Sequence, residues 1–170
     1  VNNCSLKKKI KNIKFDSKKV KKNDLFICIK GKNKDGHDYI KEAIKNGAVA
    51  VITSRKLDNI PNIEVKDTLS ALKQLALYKR NKFLGTVIAV TGSVGKTTTK
   101  EMLSNVLKTK YNVISNEGSK NNIYGLSETI FKLKKEDILL VELGMNHTGE
   151  IEELSKICRP SISIITNIGS

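Results

Sequence analysis

The chain has 170 residues, 39% of them hydrophobic and 28% charged, with a formal net charge of +14. That balance excludes an intrinsically disordered tail, and no apolar run approaches the roughly 20 residues needed to span a bilayer. Residues 1–13 are polar and lysine-rich and lack the apolar centre of a secretory signal.

The charge invites a nucleic-acid reading, but its carriers argue against one. Lysines are spread along the chain, arginine occurs only at Arg55, Arg80 and Arg159, there is no Trp, and aromatics total 5%. Base readers favour Arg and single-strand binders need stacking rings, so no nucleic-acid partner is expected. Three cysteines, Cys4, Cys28 and Cys158, make an odd count with no CxxC spacing. This fits reduced thiols in a cytoplasmic protein without membrane insertion.

The elements follow in chain order. Leu25-Phe26-Ile27-Cys28-Ile29 is an apolar run of strand length, and Cys28 reads as a small core residue. Gly31 opens a polar loop from 32 to 38. Ile40, Ala43 and Ile44 have helical spacing over residues 39–46, which Gly47 stops. Ala48-Val49-Ala50-Val51-Ile52 is a second buried strand, and Ile63 and Val65 mark a short third one after Pro61. Asp67 or Thr68 caps a helix to about residue 82 with the stripe Leu69, Leu72, Leu75 and Ala76. A domain boundary is placed at residues 83–85. Beyond it, Val87-Ile88-Ala89-Val90 is a strand, and the next helix carries Met102, Leu103, Val106 and Leu107 on one face. A strand over 111–115, a helix over 126–133, a strand over 137–142, a helix over 150–157 and a strand over 161–166 complete the alternation. The fold class is therefore α/β: a small N-terminal α/β domain (1–84), then the front part of a P-loop domain with a mostly parallel sheet (85–170).

The strongest chemical signal is Thr91-Gly92-Ser93-Val94-Gly95-Lys96-Thr97-Thr98-Thr99, between a strand and a helix. Gly92 and Gly95 permit the tight turn that presents backbone N–H groups to phosphate, and the helix N-terminus favours an anion. Lys96 can reach the β- and γ-phosphates of a triphosphate, and the Thr97 hydroxyl can ligate magnesium. Val90 stands where the longer GxxxxGK[ST] spacing requires Gly, so this is a compact GxxGKT form. Glu142, at the end of an apolar strand, is either a second metal carboxylate or a solvated strand end. In the following loop, His147 is either a proton carrier or substrate contact, or part of a helix-start turn capped by Thr148. Asn121 and Asn122 lie in another loop after a strand, where Asn pairs also simply form turns.

Taken together, these residues resemble the Mur ligase family. Asp16-Ser17-Lys18-Lys19-Val20 with Asp24-Leu25-Phe26 resembles its DSRxVxxGDLF, with Lys18 for Arg and Asn23 for Gly, at a turn where Asn tolerates positive φ. Asp35-Gly36-His37-Asp38-Tyr39 resembles DGHxF, and residues 91–102, ending in Lys100-Glu101-Met102, resemble TGSxGKTTTKEM. Asn121, Asn122 and Gly125 resemble NxNNxxG, with Ser119 for an Asn and Ser127 for a Pro nearby. Residues 142–151 resemble EMGxNHxGEI, and Thr166-Asn167-Ile168-Gly169 resembles TNIG. Asn146-His147-Thr148-Gly149-Glu150-Ile151 favours the branch that adds D-alanyl-D-alanine to UDP-N-acetylmuramoyl-tripeptide over the branch that adds the third amino acid, which typically reads EVSSH there.

The resemblance implies ATP and Mg2+ as cofactors and an acyl-phosphate intermediate. By position it assigns Gly92, Ser93, Val94, Gly95, Lys96, Thr97 and Thr98 to ATP, and Thr97 and Glu142 to magnesium. Asp16, Ser17, Asp35, Gly36 and His37 fall to the UDP part of the substrate, Asn121 and Asn122 to the substrate loop, and Lys96, Asn146 and His147 to the reaction centre. It implies a monomer, and it implies that 170 residues do not ligate by themselves. Competing classes are a non-catalytic nucleotide-binding module and a nucleic-acid-associated P-loop ATPase.

Overall fold

The computed structural model describes residues 9–31 and 33–169. Cys4 and the polar stretch before Lys9 lie outside the described residues. The chain divides into two compact units, one ending at Gln74 and one beginning at Leu75.

The first unit is a four-stranded parallel sheet. Strands β1 (Ile13–Lys14), β2 (Asp24–Ile27), β3 (Ala48–Thr53) and β4 (Asn62–Glu64) lie in the order β1-β2-β3-β4. β2 is buried along its whole length, which explains its unbroken apolar character. Helix α1 (Ile40–Lys45) sets Ile40 and Ala43 against Phe26, Cys28 and Val51. The turn before β2 contains Asn23 at φ 73°, the left-handed geometry expected where Asn replaces Gly. Sequence periodicity missed β1, which is two residues long. It also missed two 3₁₀ turns, at Ser17–Lys19 and Gly36–Tyr39, so the 32–38 segment is not loop throughout. Asp67 caps helix α2 (Thr68–Asn81) by accepting from the N–H groups of Leu69 and Ser70. The division between the units falls within α2, upstream of residues 83–85.

The second unit contains β5 (Thr86–Thr91), α3 (Lys96–Leu107), β6 (Val113–Ser115), α4 (Ile123–Lys132), β7 (Ile138–Glu142), α5 (Glu150–Cys158) and β8 (Ile162–Ile165). Its sheet is parallel, in the order β6-β7-β5-β8. Side chains alternate across it. Val87, Ala89, Leu139 and Val141 join Leu126, Ile130, Leu154 and Ile157 of α4 and α5. Ile88, Val90, Ile138 and Leu140 face Leu103 and Leu107 of α3. Both faces are thus covered, so these strands read as continuous apolar runs. The chain leaves β5 toward α3 on one face and leaves β7 toward α5 on the other. The carboxyl ends of β5 and β7 therefore flank the crevice where open α/β sheets bind ligands.

The expected apolar face of α3 is corrected. Met102 and Val106 are 65% and 67% exposed, while Lys100 and Ser104 are fully buried. The inward stripe is Lys100, Leu103, Ser104 and Leu107, an i, i+3, i+4, i+7 set. Among the described residues, no helix is long and apolar enough to cross a membrane.

Arg80, at the end of α2, donates to three backbone carbonyls of the second unit: Cys158 at 2.5 Å, Arg159 at 3.0 Å and Phe83 at 3.2 Å. Burial pulls its pKa below the ordinary arginine value. Replacing Arg80 with Met keeps the stem and removes the donors. We expect a loss of about 1–3 kcal/mol, the cost of stranding acceptors, read from the denaturation midpoint.

Candidate active site

The glycine-rich loop turns from β5 into α3 at that crevice. Gly92 has φ 137° and Gly95, the N-cap of α3, has φ 80°. A Cβ on Gly92 would collide with Thr166 Oγ1 and lie 2.9 Å from the Asn167 carbonyl oxygen, so only Gly fits there. The first turn of α3 holds Lys96, Thr97 and Thr98, whose N–H groups precede the first helical hydrogen bond, from Thr99 to Gly95. Lys96 Nζ folds over the loop, donating to the carbonyls of Gly92 at 2.7 Å and Ser93 at 3.1 Å. Both acceptors are neutral carbonyls, so an anionic oxygen at the loop would make a stronger, charge-assisted partner for this ammonium.

The segment after β8 clasps the same loop. The Thr166 hydroxyl lies 2.6 Å from the Val94 carbonyl and 3.2 Å from that of Thr91. Ser93 N–H donates to the Asn167 carbonyl at 3.0 Å, Val94 N–H to Asn167 Oδ1 at 2.9 Å, and Gly169 N–H to Ser93 Oγ at 2.8 Å. Two N–H groups of the loop, those of Ser93 and Val94, are therefore spent on holding its shape.

Glu142 closes β7 and is 1% exposed. Its Oε2 accepts from Thr97 Oγ1 at 2.8 Å and its Oε1 from Asn121 Nδ2 at 2.9 Å. Both donors are neutral. A buried carboxylate held only by neutral groups suits a hard divalent cation, and pairing it with the Thr97 hydroxyl gives an oxygen donor set suited to magnesium. Among the described residues no cluster of three or more His, Cys, Asp or Glu is placed to hold a metal ion. Gly144 is required here, because a Cβ on it would collide with the Asn121 side chain.

The other expected site residues are distributed as follows. Asn122 caps α4, accepting from the N–H groups of Tyr124 and Gly125 at 3.1 Å each. Asn146 and His147 are exposed on the loop after β7. Asn146 N–H donates to Glu150 Oε2, and the His147 carbonyl accepts from Glu150 N–H. Thr148 is not a cap; Gly149 at φ 90° takes that position, because the turn into α5 needs left-handed backbone.

In the first unit, Asp16, Ser17 and Gly36 line one cavity of about 380 Å³ together with Phe15, Lys18 and Tyr39. His37 is buried. Its Nε2 accepts the Ser54 N–H at 3.1 Å, so the proton sits on Nδ1 and is donated to Asp35 Oδ1. Arg55 pairs with Asp35 Oδ2 at 2.6 Å. Asp35 and His37 thus shape the 35–39 turn that borders the cavity. The Asp35 carboxyl is held below its ordinary 3.8, first by the His37 backbone N–H, then by the His37 ring and Arg55. A lowered folded-state pKa means that this stabilisation is complete above the unfolded value and is lost as pH falls through the folded one. In acid titrations of stability, Asp35→Asn is expected to be the weaker protein near neutrality and to converge with the parent at low pH.

Sequence reasoning gave no role to Lys100, Asn116, Thr166 or Asn167. The first two are fully or almost fully buried in the second unit. The family-like spelling of residues 100–102 and 166–169 points toward Lys100, Thr166 and Asn167, and nothing in the sequence points toward Asn116.

Residues 9–89 match the Mur ligase family, catalytic domain, and residues 90–170 match the Mur ligase middle domain. The UDP-N-acetylmuramoyl-tripeptide–D-alanyl-D-alanine ligase of Rickettsia prowazekii (strain Madrid E) is 46% identical over 160 residues, 92% of this chain and 35% of that protein. A MurF ligase from Thermotoga maritima, solved in complex with ADP, superposes with a TM-score of 0.86 at 43% identity, over 94% of this chain and 38% of that one. MurF from Acinetobacter baumannii gives a TM-score of 0.91 at 39% identity, covering 96% and 37% respectively. The chain thus spans a little over a third of the relatives it matches. Two adjoining domains of one family account for residues 9–170, and the chain belongs to the Mur ligase family.

Proposed function

We propose that this chain is part of an ATP-dependent amide ligase of peptidoglycan precursor synthesis, joining D-alanyl-D-alanine to UDP-N-acetylmuramoyl-tripeptide in the cytoplasm as a monomer. The observation that carries the reading is the Thr97 hydroxyl 2.8 Å from the buried Glu142 carboxylate, at the head of a glycine loop already holding its lysine inward. The names of the similar ligases and the spelling of residues 146–151 support the D-alanyl-D-alanine branch. Residues 1–84 are assigned to the UDP-bearing substrate, with Asp16, Ser17 and Gly36 at the cavity wall and Asp35 and His37 shaping it. Residues 85–170 are assigned to ATP.

In this reading, the N–H groups at the start of α3 hold the phosphates and Lys96 balances charge on the transferring phosphoryl group. Thr97 and Glu142 would hold magnesium, which when bound neutralises phosphate charge. The tripeptide carboxylate oxygen bonds to the γ-phosphorus as ADP departs. The dipeptide amine then attacks the acyl carbon, loses its proton, and releases phosphate. Because phosphoryl transfer needs mainly positioning and charge stabilisation, the site requires few reactive side chains. Asn121 steadies Glu142, and Asn146 and His147 stand on the adjoining loop to meet substrate.

The test is made on the full-length gene product with ATP. Phosphate release and product mass are compared for UDP-N-acetylmuramoyl-tripeptide plus D-alanyl-D-alanine and for the dipeptide nucleotide plus a single amino acid. Turnover only with the first pair is expected. Turnover only with the second pair moves the protein to the neighbouring branch, and turnover stimulated only by RNA or DNA removes it from ligase chemistry.

A further inference from the structure

Glu142 is held at its backbone as well as at its carboxylate. The Asn116 side chain accepts from Glu142 N–H through Oδ1 at 2.9 Å and donates from Nδ2 to the Glu142 carbonyl at 3.1 Å. Asn116 follows the last residue of β6, so its amide extends the β6–β7 pairing by a side-chain rung just where the backbone ladder stops. The same Nδ2 also donates to the Lys120 carbonyl at 2.9 Å, and Asn116 is 1% exposed.

Asn116 is anchored in turn by Lys100. This lysine is fully buried, and its Nζ donates to the carbonyls of Asn116 at 2.8 Å and Gly118 at 2.9 Å, with Glu101 Oε1 at 3.0 Å. A buried ammonium is costly, and spending it on two loop carbonyls fixes that loop against α3. α3 is also the helix whose first turn carries Lys96 and Thr97. One relay therefore links the phosphate helix through Lys100 to Asn116, and through Asn116 to the strand end bearing Glu142.

We propose that Asn116, anchored by Lys100, is a positioning residue that sets the Glu142 carboxylate opposite the Thr97 hydroxyl for the divalent cation. The proposal rests on Glu142 being the metal carboxylate. Neither Asn116 nor Lys100 touches nucleotide in this scheme. They act on the metal site from outside it, as outer-layer partners do when they orient ligands.

The test uses the full-length ligase, with Mn2+ standing in for Mg2+ so that binding can be followed by electron paramagnetic resonance in the presence of ADP. Asn116→Ala is expected to weaken Mn2+ binding about 10-fold or more and to raise by a similar factor the Mg2+ concentration giving half-maximal ligation. ADP affinity measured without metal should stay at the parent value, because the phosphate cradle itself is unaltered. Lys100→Met, which keeps the buried stem, should shift Mn2+ binding in the same direction. Unchanged Mn2+ affinity in both folded variants overturns the proposal. A parallel loss of metal-free ADP affinity also overturns it, since the whole loop would then have moved. If both variants unfold, the residues hold the fold rather than the carboxylate, and the proposal fails on that outcome too. Glu142→Ala is the separate arm: if it binds Mn2+ as the parent does, the reading of Glu142 itself falls.

Discussion

Lys96→Ala in the full-length ligase is expected to lower ATP-dependent amide formation by about 10³-fold, the scale seen when one preorganised charge-stabilising donor is removed. The loss should appear mainly in kcat. The loop keeps its shape without the lysine, because the clasp from Thr166 and Asn167 does not involve it. The helix N-terminus still receives an anion, so nucleotide binding should suffer less than turnover. Arg at the same position should restore little, since its planar fork does not fit the two loop carbonyls that hold the Lys96 ammonium. Single-turnover phosphate release, compared with ADP binding, separates the two effects. Weakened ADP binding with an unchanged single-turnover rate at saturating ATP would show that Lys96 serves ground-state binding alone.

Gly92→Ala is expected to damage stability and activity together. The residue sits at φ 137°, a region that costs an L side chain about 1–3 kcal/mol before any collision is counted. The added methyl also meets Thr166 Oγ1 and the Asn167 backbone, which cannot retreat without opening the clasp. A total loss near 3 kcal/mol in the second unit is expected, read from its denaturation midpoint, with ATP turnover falling below detection. Gly118→Ala provides the contrast, because a Cβ there meets nothing within 4 Å and only the φ of 52° opposes it. A Gly92→Ala protein as stable as the parent would mean that the loop relaxes freely, contrary to the packing seen around it.

The alternation of strands and helices was legible because both faces of the second sheet are covered, so its strands appear as unbroken apolar runs. The glycine loop was legible because Gly92 and Gly95 occupy backbone conformations that other residues avoid. The face of α3 was not legible. Counting apolar residues favours Met102 and Val106, whereas the helix buries Lys100 and Ser104, and a buried lysine is visible only once its carbonyl acceptors are in place. Asn116 was silent for a similar reason: an Asn after a strand is usually a turn residue, and its pairing with Glu142 joins positions 26 apart in sequence. Composition offers Thr148 as one possible cap, but the backbone turn places Gly149 there. The 3₁₀ turns at Ser17 and Gly36 are shorter than any period that a sequence pattern can register. The contacts of the buried His37 ring, to Asp35 and to Ser54 17 residues away, are likewise visible only in the folded chain.

The clasp on the glycine loop also bears on how the protein is made. Thr91 and Thr166 lie 75 residues apart, and the contacts from Asn167 and Gly169 to Val94 and Ser93 span similar distances. During synthesis the loop therefore leaves the ribosome well before the segment that braces it. Domains generally fold as units, and non-local contacts must first close their intervening chain. The geometry of the glycine loop is thus completed only after β8 has joined β5 and carried Thr166 and Asn167 to it.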